Sequence, residues 1–232
     1  MSQPGTEATM GQQTQGETLW ANIKTIGGAV LLAMVIRTCL FEPFEIEGPS
    51  MEPTLLNGDR VVVSKFSYGL FLPFAEGALL NWGVPSEGSV VIIKSPMDGV
   101  DIVKRVIGVP GDRIEIRDGR VRRNGEPMAA NDVGPCQTGD GSRNSRCRWT
   151  QSKVGDHTFR TSAALPNFDM DEVTIPEGHI FVLGDHRDAS NDSRNPAVGA
   201  IPAERVKGRA LAIYWSGDDS GWRWQRMLKA VE

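Results

Sequence analysis

Beyond residue 42 the chain is written in short β-branched runs, each stopped by Gly, Pro or Asp, and this spacing excludes a helical bundle. Arg60-Val-Val-Val-Ser-Lys65, Ser89-Val-Val-Ile-Ile-Lys94 and Asp101-Ile-Val-Lys-Arg-Val-Ile107 have the length of strands, not of helices. Their Val and Ile side chains are stiff at χ1, which crowds a helix but suits a pleated surface. Arg113-Ile-Glu-Ile-Arg-Asp118-Gly119-Arg-Val-Arg-Arg alternates on both sides of an Asp-Gly pair, which accepts the positive φ of a two-residue hairpin turn. His179 to Leu183 and Val206 to Trp215 add two further strands. The 26 Gly and 14 Pro are scattered without period, so the expected fold is mainly β with many turns. Residues 125–170, polar and rich in Gly, Asn and Ser, read as a loop-rich excursion from the sheet.

The N-terminal part is different. Residues 1–18 are polar, Gln/Gly/Thr-rich and short of apolar side chains, and are expected to be disordered. From Ile26 to Ile36 the chain is uninterruptedly apolar, which falls short of the ~20 residues a bilayer requires. It reaches that length if Lys24 and Arg37 snorkel to the two interfaces and Trp20 and Phe41 serve as belt residues. The segment Arg37-Thr-Cys-Leu-Phe41 offers no small-x-small cleavage site, and Arg37 disfavours lipidation of Cys39. Residues 19–41 are therefore expected to be one uncleaved transmembrane signal-anchor helix, with residues 42–232 as a β-rich domain. The leader has no Lys or Arg, so charge alone does not orient the helix.

Charge and cysteines narrow the function. A net charge of −4 and a pI near 5.5 lack the basic excess of a nucleic-acid binder, so no nucleic-acid partner is expected. Cys39, Cys136 and Cys147 form no C-x-x-C pair, and His157, His179 and His186 stand at no zinc-ligand spacing from them. No metal site and no cofactor are expected. Cys136 and Cys147 bracket a polar, Gly-containing segment; they are a disulfide pair if this region is exported, and two free thiols otherwise.

Three segments carry chemistry. Glu47-Gly48-Pro49-Ser50-Met51-Glu52-Pro53-Thr54 sets Ser50 between two prolines, where the backbone is stiff enough to present a nucleophile and neighbouring N–H groups. Read alone, such a segment is usually just a turn. Lys104 shares a strand face with Ile102 and Val106, so it is a candidate for desolvation, which favours the neutral amine a general base needs; more commonly such a lysine packs its stem and sends its head to water. Arg105, on the opposite face, keeps its proton and is excluded as a base. Gly184-Asp185-His186-Arg187-Asp188-Ala189-Ser190-Asn191-Asp192-Ser193-Arg194 is a loop dense in groups that bond their own backbone and in Asp–Arg pairing partners. His186 opens a rival reading, a Ser50/His186/Asp triad, for which the chain offers no other sign.

In this order, downstream of an anchor and the lead-in Phe41-Glu-Pro-Phe44, these segments resemble the bacterial type I signal peptidases (leader peptidases), a family of Ser/Lys-dyad serine proteases. Gly48 to Thr54 resembles that family's nucleophile box, Lys104-Arg105-Val106-Ile107-Gly108-Val109-Pro110-Gly111-Asp112 its lysine box, and Gly184 to Arg194 its third box. The likeness spans roughly residues 20–215 and carries no motif into 125–170. It implies an antiparallel β-sheet catalytic domain on a single N-terminal transmembrane helix, with an apolar surface on the membrane; Trp222-Arg-Trp-Gln-Arg226, of types that favour interfaces, either joins that surface or packs as a terminal segment.

By the same resemblance Ser50 is the nucleophile and Lys104 the general base, while Ser190 hydrogen-bonds the lysine. Asp192 and Arg194 organise the site, Asp185 and Arg187 are scaffold, and Met51 lines the substrate pocket. The oxyanion hole includes the Ser50 N–H; Gly48 stands where some relatives have a serine hydroxyl. The implied substrates are exported preproteins with small residues at −1 and −3. The implied location is the bacterial inner membrane, single-pass, with a cytoplasmic leader and a periplasmic catalytic domain, which favours the Cys136–Cys147 disulfide. Two rivals fit less well: self-cleaving Ser/Lys repressors, which are soluble and bind DNA, and a membrane-tethered binding module without catalysis.

Overall fold

The computed structural model describes residues 13–70, 80–81, 83–128, 130–137, 143–162, 168–219 and 221–232. One antiparallel sheet forms the frame. Its strands run in the spatial order Phe41–Glu45, Asp59–Ser64, Val206–Asp218, Val90–Lys94, Asp101–Gly108, His179–Leu183 and Ile201–Pro202, with Gly221–Trp222 paired to the long strand. Val90–Lys94 lies inside this sheet. Val90 and Ile92 enter one core with Val61, Val63, Met51 and Leu55, while Val91 and Ile93 enter another with Val106, Ile180 and Val182. A strand buried on both faces needs apolar side chains at every position, which is why Ser89–Lys94 shows no alternation.

A second sheet, Met170–Thr174, Arg113–Arg117, Arg120–Arg123 and Glu126–Pro127, holds the expected hairpin. Arg117 faces Arg120 across a turn with φ of 48° at Asp118 and 72° at Gly119, as a two-residue turn of this hand requires. Its inward residues Ile114, Ile116 and Val121 join Ile107, Phe181 and Leu183 in a third core.

Residues 125–170 depart from the loop-rich expectation. The strands Ala130–Gln137, Arg143–Val154 and His157–Ser162 make a three-stranded antiparallel sheet. Its buried side is sparse, with Trp149, Val154 and Phe159 as anchors, and part of the pairing is polar: Thr150 and Ser152 hydroxyls both meet Thr161. Thr and Ser satisfy a pleated surface without giving a hydrophobic period, so these strands have no apolar signature. The structure joins Cys136 to Cys147, with Cα atoms 5.2 Å apart.

The N-terminal helix spans Gln13–Cys39, so residues 13–18, expected to be disordered, are helical; residues 1–12 lie outside the described residues. Leu19, Trp20, Ile23, Ile26, Val30, Leu31 and Leu32 are exposed along it. Among the described residues no helix is long and apolar enough to cross a membrane.

Gly119→Ala places a side chain at a φ of 72° and should lower stability by about 1 kcal/mol, read as a shift in urea midpoint at unchanged slope. Asp118→Asn, which tolerates the same region, should be nearly neutral.

Candidate active site

Ser50 sits on a tight turn at the end of the first strand. Gly48 adopts φ of 80°, and its N–H donates to Asn57 Oδ1 at 3.0 Å. Glu52 N–H then donates to Pro49 O at 3.0 Å and Leu55 N–H to Met51 O at 2.9 Å. Met51 and Leu55 are sunk in the core beneath, so the turn is pinned while Ser50 stays half-buried. From the far side, His186 N–H donates to Ser50 O at 3.1 Å.

Lys104 lies on Asp101–Gly108 opposite Val91 and is 3 % exposed. Its Nζ donates to Ser50 Oγ at 3.1 Å and to Val103 O at 2.9 Å. Burial pulls its pKa down to about 8; the Asp192 and Asp185 carboxylates push the other way, and Arg194 adds to the lowering. A near-neutral amine in contact with a hydroxyl is the arrangement of a nucleophile with its base.

A cavity of about 320 Å³ opens beside this pair, its apolar wall made by Phe44, Ile46, Met51, Ile102 and Val103. Met51 therefore serves both as core and as pocket lining, as its place beside Ser50 suggests.

Arg105 connects the three sequence segments. It is fully buried, and its Nε and Nη2 donate to Asp185 Oδ1 and Oδ2 at 2.8 and 2.7 Å. Nη1 donates to Gly88 O at 2.8 Å, and Phe159 lies under the guanidinium with its ring centre 4.0 Å away. Thr54 Oγ1 donates to Asp185 Oδ2 at 2.5 Å and receives a longer bond from Arg105 Nη2 at 3.3 Å. Thr54 belongs to the nucleophile segment, Arg105 to the lysine strand and Asp185 to the loop.

The loop is folded around a second pair. Arg194 Nε and Nη2 donate to Asp192 Oδ1 and Oδ2 at 2.7 and 3.0 Å, and Asp192 Oδ2 also receives Gly184 N–H at 3.0 Å. Arg194 Nη2 reaches Arg187 O and Ser190 O as well. Arg187 donates from Nε to Gly184 O at 3.1 Å; burial, then neighbouring Arg194, bring its pKa down to about 10.

The family model described as signal peptidase, peptidase S26, matches residues 19–215. The chain belongs to the signal peptidase family. It is 34 % identical to signal peptidase I of Pseudomonas aeruginosa over 209 residues, covering 84 % of this chain and 72 % of the relative. Signal peptidase I of Pseudomonas fluorescens is 35 % identical over 209 residues, 83 % of this chain and 71 % of the relative. A crystal structure of a signal peptidase I from Enterococcus faecalis is 28 % identical with a TM-score of 0.34, covering 55 % of this chain and 97 % of that one. Like its family, the chain is a serine endopeptidase.

Against that family pattern one contact differs. Ser190 Oγ is buried without a hydrogen-bond partner, and the bond to the lysine that the resemblance implies is not formed. Lys104 Nζ takes Val103 O instead. Nor does His186 act as a triad member here. Its ring Nδ1 stands 3.9 Å from Glu52 Oε2 and its ring packs in a T shape with Trp149, centres 5.5 Å apart, while its backbone N–H is what bonds Ser50 O. Donor atoms of Cys147, His186 and Asp188 approach within 4.8 Å of one another, but the Cys147 sulfur is bonded to Cys136. Sequence reasoning missed the contribution of the 143–162 strands: Phe159 under Arg105, Trp149 on His186, and Ser162 N–H donating to Asp185 O at 2.9 Å. A buried arginine between Val103 and Ile107 was the signal available for this network.

Two predictions follow from the packing. A Cβ at Gly184 would stand 2.3 Å from Ser190 Oγ and 2.5 Å from Ser50 O, so Gly184→Ala should displace Ser50 and cut kcat by about 100-fold in a peptide-cleavage assay. Lys104 is protonated below its folded pKa of about 8 and desolvated there, so stability rises between that pH and the unfolded value of 10.5. Lys104→Met removes the buried ammonium and should raise stability at pH 7 by about 1–3 kcal/mol, measured by urea denaturation, while abolishing activity.

Proposed function

We propose that the chain is a membrane-anchored serine endopeptidase that removes N-terminal signal peptides from exported preproteins, with Ser50 as nucleophile and Lys104 as general base. One observation carries the reading: a nearly fully buried lysine, its pKa drawn to about 8, lies 3.1 Å from a serine hydroxyl, and both line one cavity. The signal peptidase I name of the relatives supplies the substrate class.

In the working form Lys104 is neutral and accepts the Ser50 hydroxyl hydrogen bond. Oγ attacks the scissile carbonyl carbon as its proton passes to Nζ, giving a tetrahedral oxyanion beside the Ser50 N–H. Collapse expels the amine of the mature chain, which takes the proton from Nζ. Water, deprotonated by Lys104 Nζ, then attacks the acyl-enzyme carbonyl; the ester bond breaks, Ser50 Oγ takes the proton back from Nζ, and the signal peptide leaves with a free carboxyl group. Val103 O holds Nζ in place between the two transfers. Asp192, Arg194 and Ser190 organise the loop behind the lysine, with Asp185 and Arg187 as scaffold.

The cavity beside Ser50 has an apolar wall of Phe44, Ile46, Met51, Ile102 and Val103, where the substrate's small side chains at −1 and −3 would sit. Residues 19–41 serve as a signal-anchor in the bacterial inner membrane, with the leader in the cytoplasm and residues 42–232 in the periplasm. The paired Cys136 and Cys147 accord with an oxidising compartment. The bilayer and the preprotein are the partners of this reading.

The test uses the full-length protein in detergent and a purified preprotein. The wild type should cleave once, after a small residue, and Ser50→Ala should not; cleavage at wild-type rate by Ser50→Ala overturns the reading. Because the active base is the unprotonated amine, kcat/KM should climb with pH through a midpoint near 8, and at pH 7 should stand at about one-tenth of its plateau.

A further inference from the structure

Arg105 has one more partner, and it comes from the far end of the described chain. Arg105 Nη2 donates to the backbone oxygen of Glu232 at 2.9 Å. The residues that lead there are laid along the long strand Val206–Asp218. Leu228 N–H donates to Ile213 O at 2.7 Å, Ile213 N–H to Lys229 O at 2.9 Å, and Val231 N–H to Leu211 O at 2.8 Å, with Ala230 bridged to Ala212. Val231 is buried in the core that also holds Met51 and Leu55, the two residues pinning the turn that carries Ser50.

We propose that the segment Leu228–Glu232 is a positioning element of the Ser50–Lys104 site, acting through the Glu232 backbone oxygen on Arg105. The inference rests on the dyad reading above. A guanidinium has five N–H groups and no way to shed its charge. Asp185 takes two of them and Gly88 O a third. Nη2 is left with Glu232 O as its short second acceptor, since Thr54 Oγ1 is farther, at 3.3 Å.

Arg105 is shut off from water, so removing Glu232 O leaves a buried charged donor under-satisfied. The guanidinium then turns toward Thr54 and pulls on the Thr54–Asp185 bond. That movement reaches the chemistry along three short paths. Lys104 is the next residue on the strand, Thr54 belongs to the nucleophile turn, and Asp185 adjoins His186, whose N–H holds Ser50 O.

Because the contact is made by the main chain and the Glu232 side chain is exposed, the side chain is dispensable and the residue is not. The experiment measures kcat and KM for preprotein cleavage by the full chain in detergent, with melting temperature recorded for each variant. Glu232→Ala should keep wild-type kcat. Deletion of Glu232 should lower kcat by about 10–100-fold with KM within about twofold of wild type, the scale of a small misalignment of reacting groups. Val231→Ala, which keeps the chain length but loosens its anchor, should give an intermediate kcat and serves alone if the deletion does not fold. Wild-type kcat in the folded deletion or in Val231→Ala, or a loss in Glu232→Ala equal to that in the deletion, overturns the proposal and leaves the dyad standing. A wild type that cleaves no preprotein overturns the dyad reading and this inference with it.

Discussion

The Arg105–Asp185 pair is the constraint on which the rest of the site depends. Two ions taken out of water lose hydration that their mutual attraction only roughly restores, so such a pair is a poor source of net stability. Breaking it by removing one partner is another matter and costs about 3–5 kcal/mol, because the other charge stays buried. Here the geometry is bidentate, at 2.7 and 2.8 Å, and further N–H groups of Arg105 donate to Gly88 O, Glu232 O and Thr54 Oγ1. A buried charge of this kind admits one arrangement of its surroundings. It thereby fixes the nucleophile turn, the lysine strand and the loop Gly184–Arg194 relative to one another.

Lys104 occupies the next position along the strand and obeys the opposite rule. Arg105 is met by a bidentate carboxylate and three further oxygen acceptors, whereas Lys104 donates to Ser50 Oγ and Val103 O, neither of them a carboxylate oxygen. Asp192 and Asp185 are near enough to oppose the loss of its proton but spend their oxygens on Arg194, Gly184, Arg105 and Thr54. The result is an amine poised near pH 8, between a fixed ammonium and one too weakly basic to take a proton. Neighbouring residues of one strand, pointing to opposite faces, thus divide a fixed charge from a titratable amine.

Some of this was legible in the chain itself. The Asp118-Gly119 hairpin, the doubly buried run Ser89–Lys94 and the desolvated Lys104 each rest on local pattern, which period and turn chemistry encode directly. The sheet between 130 and 162 was not legible, since its Thr, Ser and Arg strands are stabilised by cross-strand pairing and carry no apolar period. Arg105 was dismissed as a base and its larger part went unseen, because its partners lie 17 and 80 residues away in sequence. Ser190 shows the converse. Its motif position implied a bond to the lysine, yet its hydroxyl is packed against Gly184 without a partner.

The amino-acid sequence alone determined a β domain, the three segments that carry Ser50, Lys104 and Asp185–Arg194, and through them the family. These are properties of residue type and short spacing. The tertiary structure decided that Lys104 Nζ meets Ser50 Oγ, that Val103 O rather than Ser190 holds the amine, and that Phe159 and Thr54 close around Arg105. The reason is physical: burial and hydrogen-bond satisfaction depend on which distant strands are brought together, and a side chain does not carry that information until the sheet is assembled.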